Sequence, residues 1–269
     1  MALHLRESGI EFQAVFMDTG WEHPQTYRYI DDVLEKHFGP IERIRGELGM
    51  VELIRKKAMF PSRVRRFCTQ MLKVIPMQDF CVGVFEATGL RPVNAVGIRA
   101  AESAARARMA EWEEQDEATI WRPLLDWSEQ DVIDAHTRHG IAPNPLYLQG
   151  ASRVGCWPCI YARKREIRHL AETDPDRIAL IRSLEQEITA AADARAEAKG
   201  ETNLHPRTWF AGRGPRAKGG RAGAMPIDRV VSWSMTDRGG RQFALIDPPE
   251  EEGCMRWGLC DHPVEGDDA

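Results

Sequence analysis

The chain has 269 residues, of which 43% are hydrophobic and 29% charged, and its formal net charge is −5. This is the make-up of a soluble globular protein, long enough for one large domain and an appendage. It excludes a membrane-spanning chain, because no apolar run approaches the roughly 20 residues a spanning helix needs. The acidic balance argues against generic nucleic-acid affinity, leaving local basic clusters as the exception.

The N-terminus, MALHLRESGIEF, lacks the basic-then-apolar layout of a signal peptide. A cytoplasmic protein with reduced thiols is expected, so six cysteines point to metal or redox chemistry rather than a disulfide scaffold. Glu11 to Met17 reads as a buried strand ending in Asp18-Thr19-Gly20. Helical periodicity follows from Pro24 to about Phe38, with Thr26, Tyr27, Ile30, Val33 and Leu34 on one face. Ile41 to Arg45 is a short strand, and two helices follow, Val51 to Met59 and Ser62 to about Phe85. Val93 to Ile98 is an apolar strand that delivers Arg99 into a loop. Ile120 to Leu125 is another strand, after which Ser128 caps a helix reaching about His139. Strands alternating with helices predict an α/β fold, a mainly parallel sheet with helices on both faces. Ligands in such folds bind at the carboxyl ends of strands, where Asp18 and Arg99 both fall.

Composition changes near Ala198, at the end of a long charged helix that begins at Asp174. Residues 1–198 are therefore expected to form the main domain, and residues 199–269 a small cysteine-containing appendage. Within it, Arg207, Arg213, Arg216, Lys218 and Arg221 lie among glycines in a basic loop. Val230 to Met235 and Gln242 to Ile246 are predicted to pair as a hairpin.

Arg153-Val-Gly-Cys156-Trp-Pro-Cys159 places two thiols within reach of one metal centre, beside a cation. The same pair could act as a redox dithiol. Gly97-Ile98-Arg99-Ala-Ala-Glu102-Ser103, followed by Arg106 and Arg108, suits an anionic ligand, because guanidinium makes bidentate contacts with phosphate or sulfate. Glu102 would orient Arg99 or Arg106, and an amphipathic solvated helix is the plainer reading for Arg108. Asp18, Thr19 and Gly20 offer a carboxylate, a hydroxyl and a free backbone for ribose, adenine or magnesium. Cys68 and Lys73 sit on a helix as candidate catalytic groups, although a lone helical thiol more often packs. Cys81, in an apolar helix, reads as core.

The succession DTGWEHPQTY, CTQMLKVIP, VGIRAAESAARAR, PLLDWSEQDV, NPLY and SRVGCWPC resembles the phosphoadenylyl-sulfate (PAPS) reductase family. That family falls within the adenine nucleotide alpha-hydrolase-like, or PP-loop, superfamily. The resemblance runs from about residue 11 to about residue 170. It implies a Rossmann-like fold and a pocket for an adenine nucleotide or adenylyl sulfate lined by Asp18, Thr19, Gly20, Arg99, Glu102, Ser103 and Arg153. It also implies a thiol electron donor as partner.

Three features depart from the family pattern. The first strand and the Ser-Gly-Gly-x-Asp-Ser phosphate loop are not seen before MALHLRESG. The tail reads Cys254-Met-Arg-Trp-Gly-Leu-Cys260, unlike the Glu-Cys-Gly-Leu-His motif of assimilatory reductases. Phe67-Cys68 stands where cluster-bearing reductases carry a cysteine pair. Cys156, Cys159, Cys254 and Cys260 would make four thiolates, enough for an iron–sulfur cluster or, alternatively, zinc. The expected function is thiol-dependent reduction of an adenylyl sulfate. The alternatives are an ATP-pyrophosphatase-type enzyme of DNA or nucleotide sulfur modification, and a non-catalytic anion-binding protein whose partner includes nucleic acid.

Overall fold

In the computed structural model the described residues are 1–116, 118–151, 153–200, 206–211 and 224–236. Helix α1 (Ala2–Glu7) opens the chain and buries Leu3 and Leu5. Strand β1 (Val15–Met17) carries the first apolar run, shorter than predicted because residues 11–14 lie outside the ladder. Helix α2 (Pro24–Tyr29) starts on a proline whose missing N–H costs nothing at that position. His23 Nδ1 accepts the Gln25 amide at 3.0 Å and completes the cap. The helix runs on through a π turn (Ile30–Leu34) into α3 (Glu35–Phe38), where Gly39 at φ +79° ends it. Strand β2 (Glu42–Ile44) then pairs in parallel with β1, Val15 opposite Glu42.

Helix α4 (Met50–Lys57) is followed by α5 (Phe67–Thr69), a π turn (Gln70–Val74) and α6 (Ile75–Thr88). The helix expected from Ser62 starts only at Phe67. Ser62 closes a turn instead: its amide donates to Arg65 O at 3.1 Å, and its hydroxyl accepts the Arg65 amide at 3.0 Å. A serine side chain that bonds nearby backbone competes directly with the helix. Cys81 is 5% exposed, in the core as the sequence suggested.

The second parallel pair joins β3 (Val93–Ala95) to β5 (Thr119–Trp121), with β4 (Trp112–Glu114) added antiparallel at the edge. The parallel strands thus form two separate hydrogen-bonded pieces among the described residues, within the α/β class expected. Strand β4 escapes sequence reading because all three of its residues are exposed, so no alternation marks it. Its Trp112 stacks on Trp121 with centroids 5.0 Å apart. Helix α7 (Glu129–His139) has the predicted cap, Ser128 Oγ accepting the Asp131 amide at 3.1 Å and Asp131 Oδ2 accepting the Ser128 amide at 2.7 Å.

After the short helix α8 (Pro145–Leu148) come α9 (Lys164–Thr173) and the long α10 (Pro175–Glu197). Strands β6 (Phe210–Ala211) and β7 (Ala224–Met225) pair antiparallel, and α11 (Ile227–Ser234) follows. Val230 to Met235 is therefore helical rather than the first strand of a hairpin. The physical reason is its spacing: Ile227, Val230 and Ser234 recur at helical intervals and are buried on one side. The second predicted strand, Gln242 to Ile246, lies outside the described residues. So do Arg213, Arg216, Lys218 and Arg221, while Arg207 is described and its amide donates to Thr189 Oγ1 at 2.8 Å.

One core joins these parts. Leu53 and Ile54 of α4, Ile167 and Leu170 of α9, Ile181, Leu184 and Ile188 of α10, and Ile227 of α11 belong to a single buried cluster. Burial of each such side chain stabilises the fold by about 1.5–3 kcal/mol. Trp209 sits in the same cluster, stacked on Trp21 at 4.9 Å. Glu185 of α10 pins this region, accepting the amides of Trp209 and Ile227, each at 2.9 Å. Burial pushes its carboxyl above the usual range, and the two amides oppose that rise. The described C-terminal residues share the core of residues 1–198. Among the described residues no helix is long and apolar enough to cross a membrane.

Candidate functional site

The end of β1 turns sharply, and the turn explains its residues. Gly20 has φ +65°, a conformation that strains any side chain, and a Cβ there would lie 3.0 Å from the Arg45 guanidinium. Asp18 Oδ1 accepts the Gly20 amide at 2.9 Å and the Tyr27 hydroxyl at 2.7 Å. Thr19 O accepts the Met50 amide at 2.9 Å, tying the turn to the start of α4.

Glu22 organises this corner, and sequence reading passed over it. It is 3% exposed. Its carboxylate accepts Thr19 Oγ1 at 2.7 Å, the Thr19 and Trp21 amides at 3.2 Å, and the Tyr27 hydroxyl at 3.2 Å. Thr19 is fully buried with its hydroxyl turned to Glu22, so it shapes the turn from inside rather than facing a ligand. Burial first, then the hydrogen bond to Asp18, raises the Tyr27 phenol well above its usual value. The signal available in the sequence was the glutamate three residues after Thr19, within reach of the amides of a tight turn.

The cysteine pair is zipped onto the same corner. Glu22 and Cys156 form an isolated antiparallel bridge, and the Trp157 amide donates to Trp21 O at 2.8 Å. Trp21 Nε1 returns the contact, donating to Pro158 O at 3.1 Å. The Trp157–Pro158 peptide is cis. Arg177 lies over the Trp21 ring, its guanidinium carbon 4.3 Å from the centroid. Trp157 Nε1 donates to Asp174 Oδ2 at 3.1 Å, fixing the loop from the other side.

Burial pushes the Cys156 thiol up to about 11, and Glu22 and Cys159 add to the rise. Lys73 and the Thr19 hydroxyl pull the other way. Cys68 is also raised, by burial first, with Cys159 close enough to contribute. Cys68, Lys73, Cys156 and Cys159, read as separate features in the sequence, therefore meet at one place. Cys254 and Cys260 lie outside the described residues. Among the described residues no group of three or more His, Cys, Asp or Glu side chains is arranged to hold a metal.

A pKa of about 11 makes a testable statement about the metal-free protein. Thiolate is the reactive form, so alkylation of Cys156 by iodoacetamide should rise about tenfold per pH unit from pH 8 to near pH 11. The folded pKa lies above the unfolded one, so this thiol's contribution to stability holds below pH 9 and is lost as pH climbs toward 11. A plateau in the alkylation rate already at pH 9 would overturn this assignment.

The end of β3 supplies the cations. Arg99, its side chain 18% exposed, stands 3.9 Å from Glu102, which also pairs closely with Arg106. Ser103 Oγ accepts the Arg106 amide at 3.2 Å. Arg108 is exposed on the same 3-10 turn. Arg153 lies beside Tyr161, 5.6 Å from its centroid, and its proximity helps hold Arg106 below the usual arginine range, after burial and Arg66. The strand-end turn and the cysteine pair are joined directly, and Arg99 and Arg153 meet around Arg106. A separate cavity of about 690 Å³ lies between β2 and α6, lined in part by Leu53, Leu72 and Phe80. Its lining includes neither cysteine of the pair, so the hydrogen-bonded corner and the thiols define the site.

Comparison with known proteins agrees with these motifs. Residues 1–162 match the family model described as the phosphoadenosine phosphosulfate reductase domain. An uncharacterized 37.8 kDa protein of Escherichia phage 186 is 32% identical over 89% of this chain and 85% of its own length. The adenosine 5′-phosphosulfate reductase of Streptomyces coelicolor is 28% identical over 54% of this chain, and that of Allochromatium vinosum is 28% identical over 59%. The match spans 60% and 62% of those two enzymes, about three fifths of each. The crystal structure of phosphoadenylyl-sulfate reductase from Candida auris, a phosphate complex, aligns with 58% of this chain and 75% of its own, at 20% identity and a TM-score of 0.44. Since the family model covers more than half of the sequence and its motifs meet at one corner of the fold, the chain belongs to the phosphoadenosine phosphosulfate reductase family.

Proposed function

We propose that this protein is a sulfonucleotide reductase: it binds an adenylyl sulfate at the ends of β1 and β3 and reduces it with thiols. The observation that carries the reading is the pairing of Trp21 and Glu22 with Cys156 and Trp157, which holds thiol chemistry against the strand-end turn. A thiolate attacks the sulfur of the adenylated sulfate, the sulfur–oxygen bond to the phosphate breaks, and the nucleoside monophosphate leaves with that oxygen. A second thiol, from an external dithiol donor, attacks the cysteine sulfur of the resulting S-sulfonate. The bond between that sulfur and the sulfonate breaks, sulfite leaves with the electron pair, and a disulfide joins the cysteine to the donor. Arg99 and Arg153 would neutralise the sulfate and phosphate, and Asp18 and Gly20 would face the nucleoside. Cys68 is the candidate attacking thiol and Lys73 the nearby ammonium.

We also assign Cys156 and Cys159, with Cys254 and Cys260, as the thiolates for an iron–sulfur cluster, zinc being the alternative. Burial that keeps Cys156 protonated would be reversed by a bound cation, which deprotonates its thiol ligands. Such a group would order the loop and set its charge. Metal analysis of anaerobically purified wild type and of C254S/C260S tests the set, with the metal expected only in the former.

The activity test supplies adenylated sulfates with and without a 3′-phosphate, together with a dithiol donor, to the full chain and follows sulfite. Sulfite is expected from wild type and should fall at least about a hundredfold in Cys68→Ser, a loss of about 2.7 kcal/mol in transition-state stabilisation. Absence of sulfite from metal-replete protein would overturn the proposal.

A further inference from the structure

The two residues between Cys156 and Cys159 are each gripped by a side chain, and both grips lead to the first turn of α10. Trp157 is 6% exposed, and its indole N–H donates to Asp174 Oδ2 at 3.1 Å. Pro158 O accepts the Trp21 indole N–H at 3.1 Å. The Trp21 ring lies under Arg177, whose guanidinium also donates to Glu22 O at 3.5 Å. Arg177 in turn adjoins Asp174, its Nε standing 3.9 Å from Oδ2. Asp174 thus restrains the loop directly, and Arg177 restrains it through Trp21. Both residues lie beyond residues 1–162, the segment that the family model matches.

Asp174 does more than its place in the fold requires. It closes α9 and caps α10, where its Oδ1 accepts the Arg177 amide at 3.0 Å. One oxygen is enough for that cap, and serine or asparagine supplies it equally well. The second oxygen is committed to Trp157, whose buried indole N–H needs an acceptor. An amide at this position would turn NH2 toward one of the two donors, so only a carboxylate gives each its own oxygen. His23 and His169 also pack edge-on against Trp157, with ring centroids 5.0 and 5.7 Å away.

We infer that Asp174 is a positioning residue for the cysteine pair: by joining the cap of α10 to the Trp157 indole, it sets Cys156 and Cys159 toward each other. Arg177 acts in the same sense through Trp21 and Pro158. Thiols converged beforehand lose less freedom when both bind one thiophilic atom. Any part Asp174 plays in reduction rests on the proposed function; the convergence of the thiols rests on these contacts alone.

The test is binding of phenylarsine oxide, whose trivalent arsenic bonds two neighbouring thiols and releases water, to the reduced, metal-free full chain. The component lost in both Cys156→Ser and Cys159→Ser reports the pair. Asp174→Ser keeps a cap oxygen on a side chain too short for the indole, and Trp157→Phe keeps the carboxylate and removes the N–H. Ile188→Val, a buried change farther along α10, is the control that lowers stability away from the loop. Asp174→Ser and Trp157→Phe should each weaken the arsenical at least about tenfold. The double variant should stay within about twofold of Trp157→Phe, because both changes remove the same bond. Ile188→Val should melt lower yet bind within about twofold of wild type. Three results would overturn the inference: no binding by the wild-type pair, binding by Asp174→Ser within about twofold of wild type, or additive losses in the double variant. A loss in Ile188→Val as large as in Asp174→Ser would do the same, by showing that the arsenical reads stability alone. If Asp174→Ser does not fold, Trp157→Phe decides, and wild-type affinity in that variant sinks the inference. The sulfite assay is a separate arm, in which Asp174→Ser should lower kcat at least about tenfold with KM within about twofold. Unchanged kcat removes Asp174 from the reduction. Absence of sulfite from wild type sinks the proposed function, while the arsenical still decides the positioning role.

Discussion

Glu22→Ala is expected to destabilise the protein by about 2–6 kcal/mol, the cost of leaving two buried amides without an acceptor at about 1–3 kcal/mol each. The carboxylate is 3% exposed and accepts from two amides and two hydroxyls. Tyr27 retains Asp18 as a partner, so the heaviest loss falls on Thr19 and Trp21, whose amides would be left unpaired inside the fold. Glu22→Gln can keep its carbonyl oxygen in the Oε2 position that both amides use and donate its NH2 to Thr19 Oγ1, and should cost less than half as much. Urea unfolding measures both, as a lower midpoint at unchanged slope. The same change opens the Cys156 bridge, so Cys156 alkylation at pH 8 should accelerate in Glu22→Ala. A loss of less than about 1 kcal/mol would show that water enters the corner and replaces the carboxylate.

Trp209→Ala is the second large effect, expected at about 3–5 kcal/mol for emptying a buried aromatic site. Trp209 is 3% exposed, stacked on Trp21 and edge-on to Phe60 at 5.7 Å. It therefore joins the C-terminal segment to the residue that holds the cysteine loop. Trp209→Phe should cost much less, because the buried Nε1–H of Trp209 has no hydrogen-bond partner among the described residues. Phenylalanine removes that unpaired donor while keeping most of the ring, so the lost volume is partly offset. Thermal unfolding separates the two variants. Equal losses would show that phenylalanine does not refill the site and would overturn this account.

Local elements with their own punctuation were legible from the sequence. Ser128 with Asp131 marks the start of α7, Pro24 that of α2 and Gly39 the end of α3, each through a bond or a φ value that neighbouring residues fix. Elements that depend on burial by distant partners were not. Strand β4 shows no alternation because both faces are exposed, and α11 resembled a strand because Val-Val-Ser-Trp carries β-propensity until α9 and α10 bury one helical face. The turn at Ser62 was misread as helix because its competing side-chain bond is invisible to periodicity.

The site divides in the same way. Sequence by itself determined the inventory: a polar turn after β1, arginines after β3, a Cys-x-x-Cys loop, and the family those motifs share in order. Residue types at short spacing are chemistry that needs no third dimension to recognise. Tertiary structure decided which of them meet. It set Cys68 and Lys73 beside Cys156 and Cys159, turned Thr19 inward, made Glu22 the buried anchor, and gathered Arg63 and Arg66 with Arg153 on Tyr161. Those meetings bring together segments some 90 to 140 residues apart, held by the core of α4, α9 and α10. No pattern confined to neighbouring residues encodes a contact that only such packing enforces.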